Sequence, residues 1–160
     1  MNTGHYKIEL CKIEDYHQII RDIVDFWDSE RTLFLHHPFL IYEFGNTAFV
    51  IKENDMVIAY LFGFFSQTES VGYVHLLGVR DNYRRKGLGT LLYNNFIELS
   101  KSKGIKKIKA ITTPTNEKSI QFHKKQIGMT LIGNPNQDGI NVVKNYSGIN
   151  QDRVVFEKEI

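Results

Sequence analysis

The stretch RRKGLGT, residues 84–90, places three cations and two glycines in seven residues, directly before an apolar helical pattern. It follows the strand-like run GYVHLLGV, which ends at Val79. A strand, a cationic turn and a helix N-terminus in this order aim several backbone N–H groups at one point, and the helix dipole adds partial positive charge. We therefore expect an anion site at this turn.

The glycines of this turn allow the backbone to approach a ligand closely, and phosphate is the commonest ligand of such a geometry. Two widespread phosphate motifs do not fit. A P-loop needs a lysine directly after its last glycine, and none follows Gly89. A dinucleotide fingerprint needs a third glycine where Leu92 stands. A glycine pair that only caps and packs the turn is the alternative.

The composition indicates one globular domain. The chain has 160 residues, 42% hydrophobic and 24% charged, which is enough to bury a core. It contains no repeat and no Pro/Gly/Ser-rich linker, so we expect a single domain over residues 1–160. The 20 basic and 18 acidic residues are spread along the chain, which gives no global field for nucleic acid or an anionic membrane.

Signals for export, membrane insertion or metal binding are not evident. The start MNTGHYKIEL lacks the apolar core of a signal peptide, and no apolar run approaches the roughly 20 residues of a membrane span. The single cysteine, Cys11, cannot form an intramolecular disulfide, and the adjacent His36 and His37 have diverging side chains. We expect a cytoplasmic protein that needs no metal.

The remaining patterns predict a mixed order of strands and helices. Strand-like runs are YKIELCKI, TAFVIKE, VIAYLFGFFSQ, KKIKAITT and DRVVFEKEI, and the turn ENDM predicts a hairpin. Helical patterns are EDYHQIIRDIVDFWDSE, GLGTLLYNNFIELSKSKG and TNEKSIQFHKKQIG, whereas LFLHHPFLIYEFG is ambiguous because of its proline. Since hairpin strands come first and strands then alternate with helices, we expect a mixed α/β sheet.

Arg84, Gly87 and Gly89 match the pattern R-x-x-G-x-G. At this point the chain resembles the GCN5-related N-acetyltransferase (GNAT) family, whose acyl-CoA pyrophosphate-binding segment has this pattern between its fourth strand and third helix. The predicted order of elements fits the family over nearly the whole chain. The resemblance implies the GNAT fold: a mixed central β-sheet with an N-terminal antiparallel part, flanked by about four helices.

A second segment, NEKSIQFHKKQIGM, resembles the family's Asn-x-x-Ala/Ser-x-x-Phe-Tyr pattern on the next helix. The resemblance implies acetyl-CoA as cosubstrate and no metal. In the family, amides of the segment matching residues 85–90 bind the pyrophosphate, and the strand matching VHLLGV pairs with the pantetheine arm. The implied cosubstrate contacts are Leu77, Val79, Arg84, Arg85, Lys86, Gly87, Leu88, Gly89, Thr90, Asn116 and Phe122.

The resemblance also implies a catalytic strand. The amide of Leu77 matches the position at which the family stabilises the thioester oxyanion. An alkyl amine with a pKa near roughly 10.4 must lose a proton before it attacks, so a base is needed. The family's glutamate base matches Tyr73, whereas His75 lies on the same strand face and is the better acceptor. A core role for His75, and a water relay to a more distant acid, are the alternatives.

His123 matches the tyrosine that protonates the departing thiolate in the family. A histidinium at His123 would donate that proton favourably. The alternative is an exposed C-terminal helix turn whose cations complement the dipole. The segment from His123 to Gly128 is one residue longer than the usual family spacing. Asn116 also suits a helix N-cap.

We therefore expect an N-acetyltransferase that moves an acetyl group from acetyl-CoA directly to an amine of a small molecule or peptide. One alternative is a non-catalytic acyl-CoA-binding regulatory module, because both usual catalytic side chains are replaced. Another is an acyltransferase with a different acyl donor or a non-amine acceptor. Dimers are frequent in the family, so the resemblance allows a homodimer.

The resemblance assigns two segments to the acceptor site. FLHHPFLIYEF falls where the family builds one wall of the acceptor cleft, and its aromatic side chains line that wall or fill the core. Tyr146 lies in the loop that closes the acceptor site in the family. We expect Tyr146 either to contact the substrate or to pack at the edge of the fold.

Overall fold

The computed structural model describes residues 5–160. Residues 1–4 belong to the start of the chain, in which we expect no signal peptide, and they lie outside the described residues. The longer strands are β1 (Ile8–Leu10), β2 (Ala48–Glu53), β3 (Met56–Phe65), β4 (Val71–Val79), β5 (Lys107–Thr112) and β9 (Val154–Glu159). Three two-residue strands are β6 (Thr130–Leu131), β7 (Asn134–Pro135) and β8 (Asn141–Val142). The α-helices are α1 (Ile13–Arg21), α2 (Ile23–Trp27), α3 (Phe39–Tyr42), α4 (Leu88–Ser102) and α5 (Glu117–Gln121).

The chain divides into two compact units. The first contains the residues up to Phe64 together with His75–Phe96, and the second contains Phe65–Val74 and Ile97–Ile160. Strand order is β1-β2-β3-β4 in the first unit and β4-β5-β9-β6 in the second, so β4 contributes to both. Strands β1, β2 and β3 are antiparallel, whereas Val71–Val74 of β4 pair in parallel with β5. The predicted mixed sheet with an N-terminal antiparallel part is confirmed; the single domain stays a prediction.

The predicted hairpin ENDM is a two-residue turn between β2 and β3. Glu53 pairs with Met56, and the intervening Asn54 and Asp55 both have positive φ, 50° and 64°. Two left-handed residues in a two-residue loop match the right-handed twist of the flanking strands, and Asn and Asp tolerate that conformation best among residues with side chains. The local sequence therefore accounts for the pairing of β2 with β3 next to the turn, whereas the register shifts by one residue between Ile51 and Lys52.

The first predicted helix is divided into α1 and α2 at Asp22. This residue leaves the helical region, with φ −102° and ψ 23°. Its carboxylate is bonded by Arg21 and by Arg80, so a side chain from outside the helix takes part in the break. Five α-helical segments are consequently present among the described residues, against the about four that we expected.

Helix α4 follows the prediction closely. It ends two residues before Gly104, whose φ of 73° suits a helix C-terminus. Helical spacing predicts Leu88, Leu91, Leu92, Phe96 and Leu99 on one face; Leu88, Leu92 and Phe96 are buried, whereas Leu91 and Leu99 are half-buried. Tyr93 is also fully buried, which the apolar pattern alone did not indicate.

The core of the first unit lies between α1, α2 and one face of β2 and β3. Its buried members include Tyr16, Ile19, Ile23, Phe26, Leu40, Val50, Val57, Tyr60, Phe62 and Leu76. Along β4, the even-numbered residues from Val74 are buried and the odd-numbered ones are half-buried. The strand therefore turns Tyr73, His75, Leu77 and Val79 to one partly accessible face, as its alternation predicts.

The segment after α5 is a π-helical turn, Phe122–Ile127. The N–H of Gly128 donates to the carbonyl of His123, an i to i+5 bond, and Gly128 has a φ of 77°. Such a turn accommodates one additional residue within a helix. It explains how the segment from His123 to Gly128 contains one residue more than the family spacing.

Within residues 5–160, none of the helices combines the length and apolarity required to cross a lipid bilayer. Nor do three or more His, Cys, Asp or Glu side chains of residues 5–160 form a group that could bind a metal ion.

Candidate active site

Arg80 anchors the turn between β4 and α4, residues 80–87, which we term the β4–α4 turn. Its guanidinium is buried and donates to Asp22 at 3.1 Å, to Asp25 at 2.9 Å and to the carbonyl of Val57 at 3.0 Å. It also lies 4.7 Å from the ring centroid of Phe26. A buried cation needs such partners to offset its desolvation. We did not predict this role, although an arginine directly after an apolar strand was a usable signal.

Arg84 also anchors the β4–α4 turn through its guanidinium. Its guanidinium donates to the carbonyl of Phe26 at 2.8 Å and to that of Val79 at 3.3 Å. One of its terminal nitrogens also lies 3.3 Å from Asp28 and 3.1 Å from Asp81. The first of the three adjacent cations is therefore neutralised within the protein, and it positions the turn.

The β4–α4 turn bends through two left-handed residues. Arg85 has a φ of 63° and Gly87 has a φ of 80°. The N–H of Leu91 donates to the carbonyl of Gly87 at 2.9 Å, which is the first intrahelical bond of α4. The N–H groups of Leu88, Gly89 and Thr90 precede that bond, and groups at this position of a helix have no intrahelical acceptor.

Two exposed cations belong to the same turn. Arg85 and Lys86 are exposed, and the Lys86 ammonium lies 4.8 Å from the ring centroid of Tyr83. Left-handed turns that gather backbone N–H groups bind anions, and the dipole of a 15-residue helix adds positive potential at its N-terminus. This geometry fits a pyrophosphate group.

His75 lies on the accessible face of β4 and is half-buried. Its Nε2 is 3.1 Å from the carbonyl oxygen of Leu35, and its ring centroid is 6.4 Å from that of Phe64. A carbonyl only accepts, so Nε2 carries the proton and Nδ1 is the acceptor atom of the neutral ring. Burial, with a smaller contribution from His37, lowers the pKa of His75 below 6.5, although the Leu35 contact opposes this. The ring is therefore neutral at neutral pH, as a base must be.

A buried hydrogen-bond chain supports the segment that contains Leu35. His36 Nδ1 donates to the carbonyl of Thr32 at 2.8 Å, and its Nε2 lies 2.7 Å from the hydroxyl of Tyr60. The indole N–H of Trp27 donates to the same hydroxyl at 2.7 Å. Burial lowers the pKa of His36 to about 4, so the ring is neutral and accepts from Tyr60. Tyr60 and His36 are 24 residues apart, so the sequence does not indicate this hydrogen-bond chain.

Tyr73, two residues before His75, belongs to the second unit. Its hydroxyl is hydrogen-bonded with that of Tyr146. Burial and this neighbour raise the pKa of Tyr73 well above 10, whereas Arg153 opposes the shift. Tyr73 is consequently protonated at neutral pH and is a hydroxyl donor rather than a base. Tyr146 packs against it through this bond.

His123 is in a different state from the one we expected. It is buried, stacked on Phe156 with centroids 4.3 Å apart, and its Nδ1 lies 2.7 Å from the carbonyl of Ser119. Burial lowers the pKa of His123 to about 4. The expectation of a histidinium at neutral pH disagrees with this environment, because a desolvated ring next to an apolar neighbour favours the neutral form. The exposed helix turn that we considered as the alternative also disagrees, since His123 is buried.

The other residues of the second motif stabilise α5. Asn116 is the N-cap: its side-chain oxygen accepts from the N–H of Ser119 at 3.2 Å. Phe122 is half-buried and begins the π-helical turn. The predicted N-cap is confirmed. Asn116, Phe122 and His123 all belong to the second unit, whereas His75, Leu77, Val79 and the β4–α4 turn belong to the first.

Cys11 lies directly after β1 and is buried. Burial, with a contribution from Asp15, raises the pKa of its thiol to about 12. A thiol in this state supplies almost no thiolate at neutral pH, and the thiolate is the nucleophilic form. The environment of Cys11 is that of a structural cysteine.

Comparison with known proteins identifies a family and a shared fold. The sequence profile of the Acetyltransferase (GNAT) family matches residues 13–129. The L-2,4-diaminobutyric acid acetyltransferase of Marinococcus halophilus is 28% identical over 113 residues, which is 66% of this chain and 66%, just under two thirds, of that protein.

Two solved structures share the fold at low identity. Ard1 from Thermoplasma volcanium superposes with a TM-score of 0.73 at 16% identity, covering 97% of each chain. A chain of the NatC complex, solved with Gag peptide and CoA, gives 0.72 at 12% identity, covering 97% of this chain and 98% of that one. At these identities the likeness concerns the fold alone.

Proposed function

The chain belongs to the acetyltransferase (GNAT) family, and from this we propose that it transfers an acetyl group from acetyl-CoA to an amine. Members of this family use acetyl-CoA, which supplies the acetyl group as a reactive thioester. The observation that carries the proposal is the β4–α4 turn: two left-handed residues, exposed cations and the first amides of α4 converge where a pyrophosphate would bind. The relative named as a diaminobutyric acid acetyltransferase supports an amine acceptor.

We propose separate tasks for the residues of the turn. The amides of Arg85, Lys86, Gly87, Leu88, Gly89 and Thr90 donate to the pyrophosphate, and the side chains of Arg85 and Lys86 add charge. Arg84 acts as a positioning residue, because its guanidinium is already bonded to Phe26, Asp28 and Asp81. A turn fixed before binding loses less conformational entropy when the ligand binds.

His75 is the proposed general base. Its Nε2–H donates to the carbonyl of Leu35, and this bond directs Nδ1 as the atom that takes the proton of the acceptor amine. The neutral ring fits that task, since an imidazolium has no free lone pair. A general base of this kind contributes roughly 10²–10⁴-fold to the rate.

The backbone of β4 completes the proposed site. We assign the amide of Leu77 to the thioester carbonyl oxygen, where one fixed donor is worth about 3 kcal/mol. Val79 would contact the pantetheine arm through its backbone. Within the second unit, taken by itself, Tyr73 is a hydroxyl donor, in line with its raised pKa. The cosubstrate contacts of Asn116 and Phe122 and the catalytic role of His123, which the family resemblance implies, stay predictions.

Titration calorimetry with acetyl-CoA tests the turn. We expect micromolar binding by the intact chain, weakened about three- to tenfold in the double variant Arg85→Gln, Lys86→Gln, since each exposed ion pair is worth about 0.2–1 kcal/mol. The matched control is Lys103→Gln, Lys106→Gln, which removes two exposed cations outside the turn. The control should bind as tightly as the intact chain.

Turnover then separates an enzyme from a binding module. The intact chain is incubated with acetyl-CoA and a panel of amines, and acetylated products are measured by mass. Acetylated amine supports the proposal, and binding without any product indicates the non-catalytic module. Absence of acetyl-CoA binding by the intact chain overturns the acyltransferase proposal. Longer acyl-CoA donors in the same assay identify the preferred acyl group.

A further inference from the structure

A row of aromatic rings leads from the protein surface to His75. His37 stacks on Phe39 with ring centroids 5.4 Å apart, and Phe39 contacts Phe44 edge-on at 6.2 Å. Phe44 lies 5.7 Å from Phe64, and Phe64 lies 6.4 Å from His75. We term His37, Phe39, Phe44 and Phe64 the aromatic row. All of its members belong to the first unit, as does His75.

The outer rings of the row are unusually exposed for phenylalanine. Phe39 is 48% exposed and Phe44 is 38% exposed, and Tyr42 in the same segment is 68% exposed. Leaving such rings in water forfeits about 25 cal/mol for each Å² of apolar surface that stays exposed. Contiguous exposed apolar surface of this kind marks a binding site more often than an isolated exposed side chain does.

The charges beside the row select the ligand. His37 contributes to lowering the pKa of His75, and no carboxylate of the described residues contributes to that shift. Residues 33–44 contain a single carboxylate, Glu43, and its residue is exposed to solvent. A second ammonium group would find only this one solvent-exposed carboxylate within residues 33–44, whereas an uncharged apolar group would find the three phenyl rings of the aromatic row.

We infer that the acceptor amine carries an aromatic or large apolar group that packs on the aromatic row while its amino group lies at Nδ1 of His75. This inference rests on the proposed function and narrows its substrate. The same chemistry occurs in a free arylalkylamine and in a peptide whose first residue is aromatic. Packing of one ring against others adds about 0.5–1.5 kcal/mol to the burial of its area.

The test compares amines that differ in their apolar part. Acetylation by the intact chain is measured with 2-phenylethylamine, ethylamine and L-2,4-diaminobutyric acid, and with the tripeptides Phe-Ala-Ala and Ala-Ala-Ala. Two pairs are compared: 2-phenylethylamine with ethylamine, and Phe-Ala-Ala with Ala-Ala-Ala. In each pair we expect kcat/KM of the aromatic member to exceed that of the small member by at least about tenfold. The aromatic acceptor with the larger kcat/KM, 2-phenylethylamine or Phe-Ala-Ala, shows whether the aromatic group belongs to a free amine or to a peptide.

Two variants test the row itself. Phe44→Ala and Phe39→Ala should each lower the preference for 2-phenylethylamine over ethylamine several-fold, by reducing only the first of the two kcat/KM values. Val24→Ala is the control, because Val24 is 50% exposed on α2 and outside the row. It should leave the preference unchanged. Thermal unfolding of each variant shows whether it is folded.

Three outcomes in which an amine is acetylated overturn the inference. They are the lack of a preference for the aromatic member in both pairs, a preference for L-2,4-diaminobutyric acid over the aromatic acceptors, and an equal effect of Phe44→Ala and Phe39→Ala on the aromatic and the small member of the preferred pair. In each of these cases turnover of an amine leaves the proposed function intact. Failure to acetylate any amine of the panel also overturns the inference, and acetyl-CoA binding by the same sample then decides the proposed function separately.

Discussion

His75 and His123 show how one residue type takes different states through its contacts. Both rings have a lowered pKa because burial disfavours the charged form. His75 is half-buried on an accessible strand face, with Nε2 bonded to Leu35. His123 is stacked in the core of the second unit. The first arrangement suits a base, and the second suits a structural ring.

Replacing His75 tests its role as the base. His75→Gln keeps a side-chain donor that can reach the carbonyl of Leu35 but removes the basic nitrogen. We expect kcat to fall about 100-fold or more, with the affinity for acetyl-CoA unchanged. Steady-state kinetics and calorimetry measure the two quantities. An unchanged kcat would remove His75 from the mechanism.

The pH profile adds a readout that a structural role would not change. A base with a pKa below 6.5 in the folded protein is neutral at pH 7 and takes up a proton only as the pH falls below that pKa. With the proposed activity, the kcat/KM profile of the intact chain should therefore show an extra downward bend on the acid side of pH 6.5. His75→Gln should lack this bend.

At the scale of elements, Tyr60 joins β3 to the segment that orients His75. Its hydroxyl contacts Trp27 and His36, and its ring contacts Phe26 at 5.1 Å and Phe62 at 4.9 Å between centroids. Gly78 of β4 faces this ring, because a Cβ built at position 78 would lie 2.5 Å from Tyr60 Cε1. A glycine is needed here for close approach of β4 to Tyr60.

Gly78→Ala is expected to destabilise the protein. The new methyl group would displace a ring that is fully buried and hydrogen-bonded, which costs about 1–3 kcal/mol of unfolding free energy. Gly45→Ala is the matched control, since a Cβ at Gly45 meets no atom within 4 Å. Urea unfolding measures both variants. Equal unfolding free energies for the two would show that Tyr60 yields without cost.

Each unit contains one histidine that is buried in its neutral form, His36 in the first and His123 in the second. Both have a pKa of about 4 in the folded protein, against 6.5 for an unperturbed histidine. The unfolded chain therefore binds protons at a higher pH than the folded chain does. The contribution of these two neutral rings to the free energy of unfolding is complete above pH 6.5 and is lost as the pH falls from 6.5 toward 4.

We expect the free energy of unfolding to fall by about 2 kcal/mol for each of these histidines between pH 7 and pH 5. Urea unfolding at several pH values measures this decrease. His123→Phe should reduce the slope, because the variant has no group to protonate at that position. His17→Gln, which changes an exposed histidine, should keep the slope. A constant free energy over this range would contradict the burial of neutral rings.

Local patterns were sufficient for most elements. Strand-like runs predicted β1, β2, β3, β4, β5 and β9, helical spacing predicted α4, and the turn ENDM predicted the hairpin. These features depend on neighbours in the chain, whose steric and hydrogen-bonding preferences act at short range. The break at Asp22 was not predictable, because Arg80, 58 residues away, takes part in it.

The sequence alone determined the order of the longer elements, the two motifs and, through them, the family. It could do so because turn residues, apolar periodicity and the positions of glycines are local properties of the chain. Only the tertiary structure decided that Arg84 is neutralised by Asp28 and Asp81, that His123 is buried in its neutral form, and that Leu35 orients His75. Charge state and orientation depend on burial and on partners distant in sequence, which folding alone brings together.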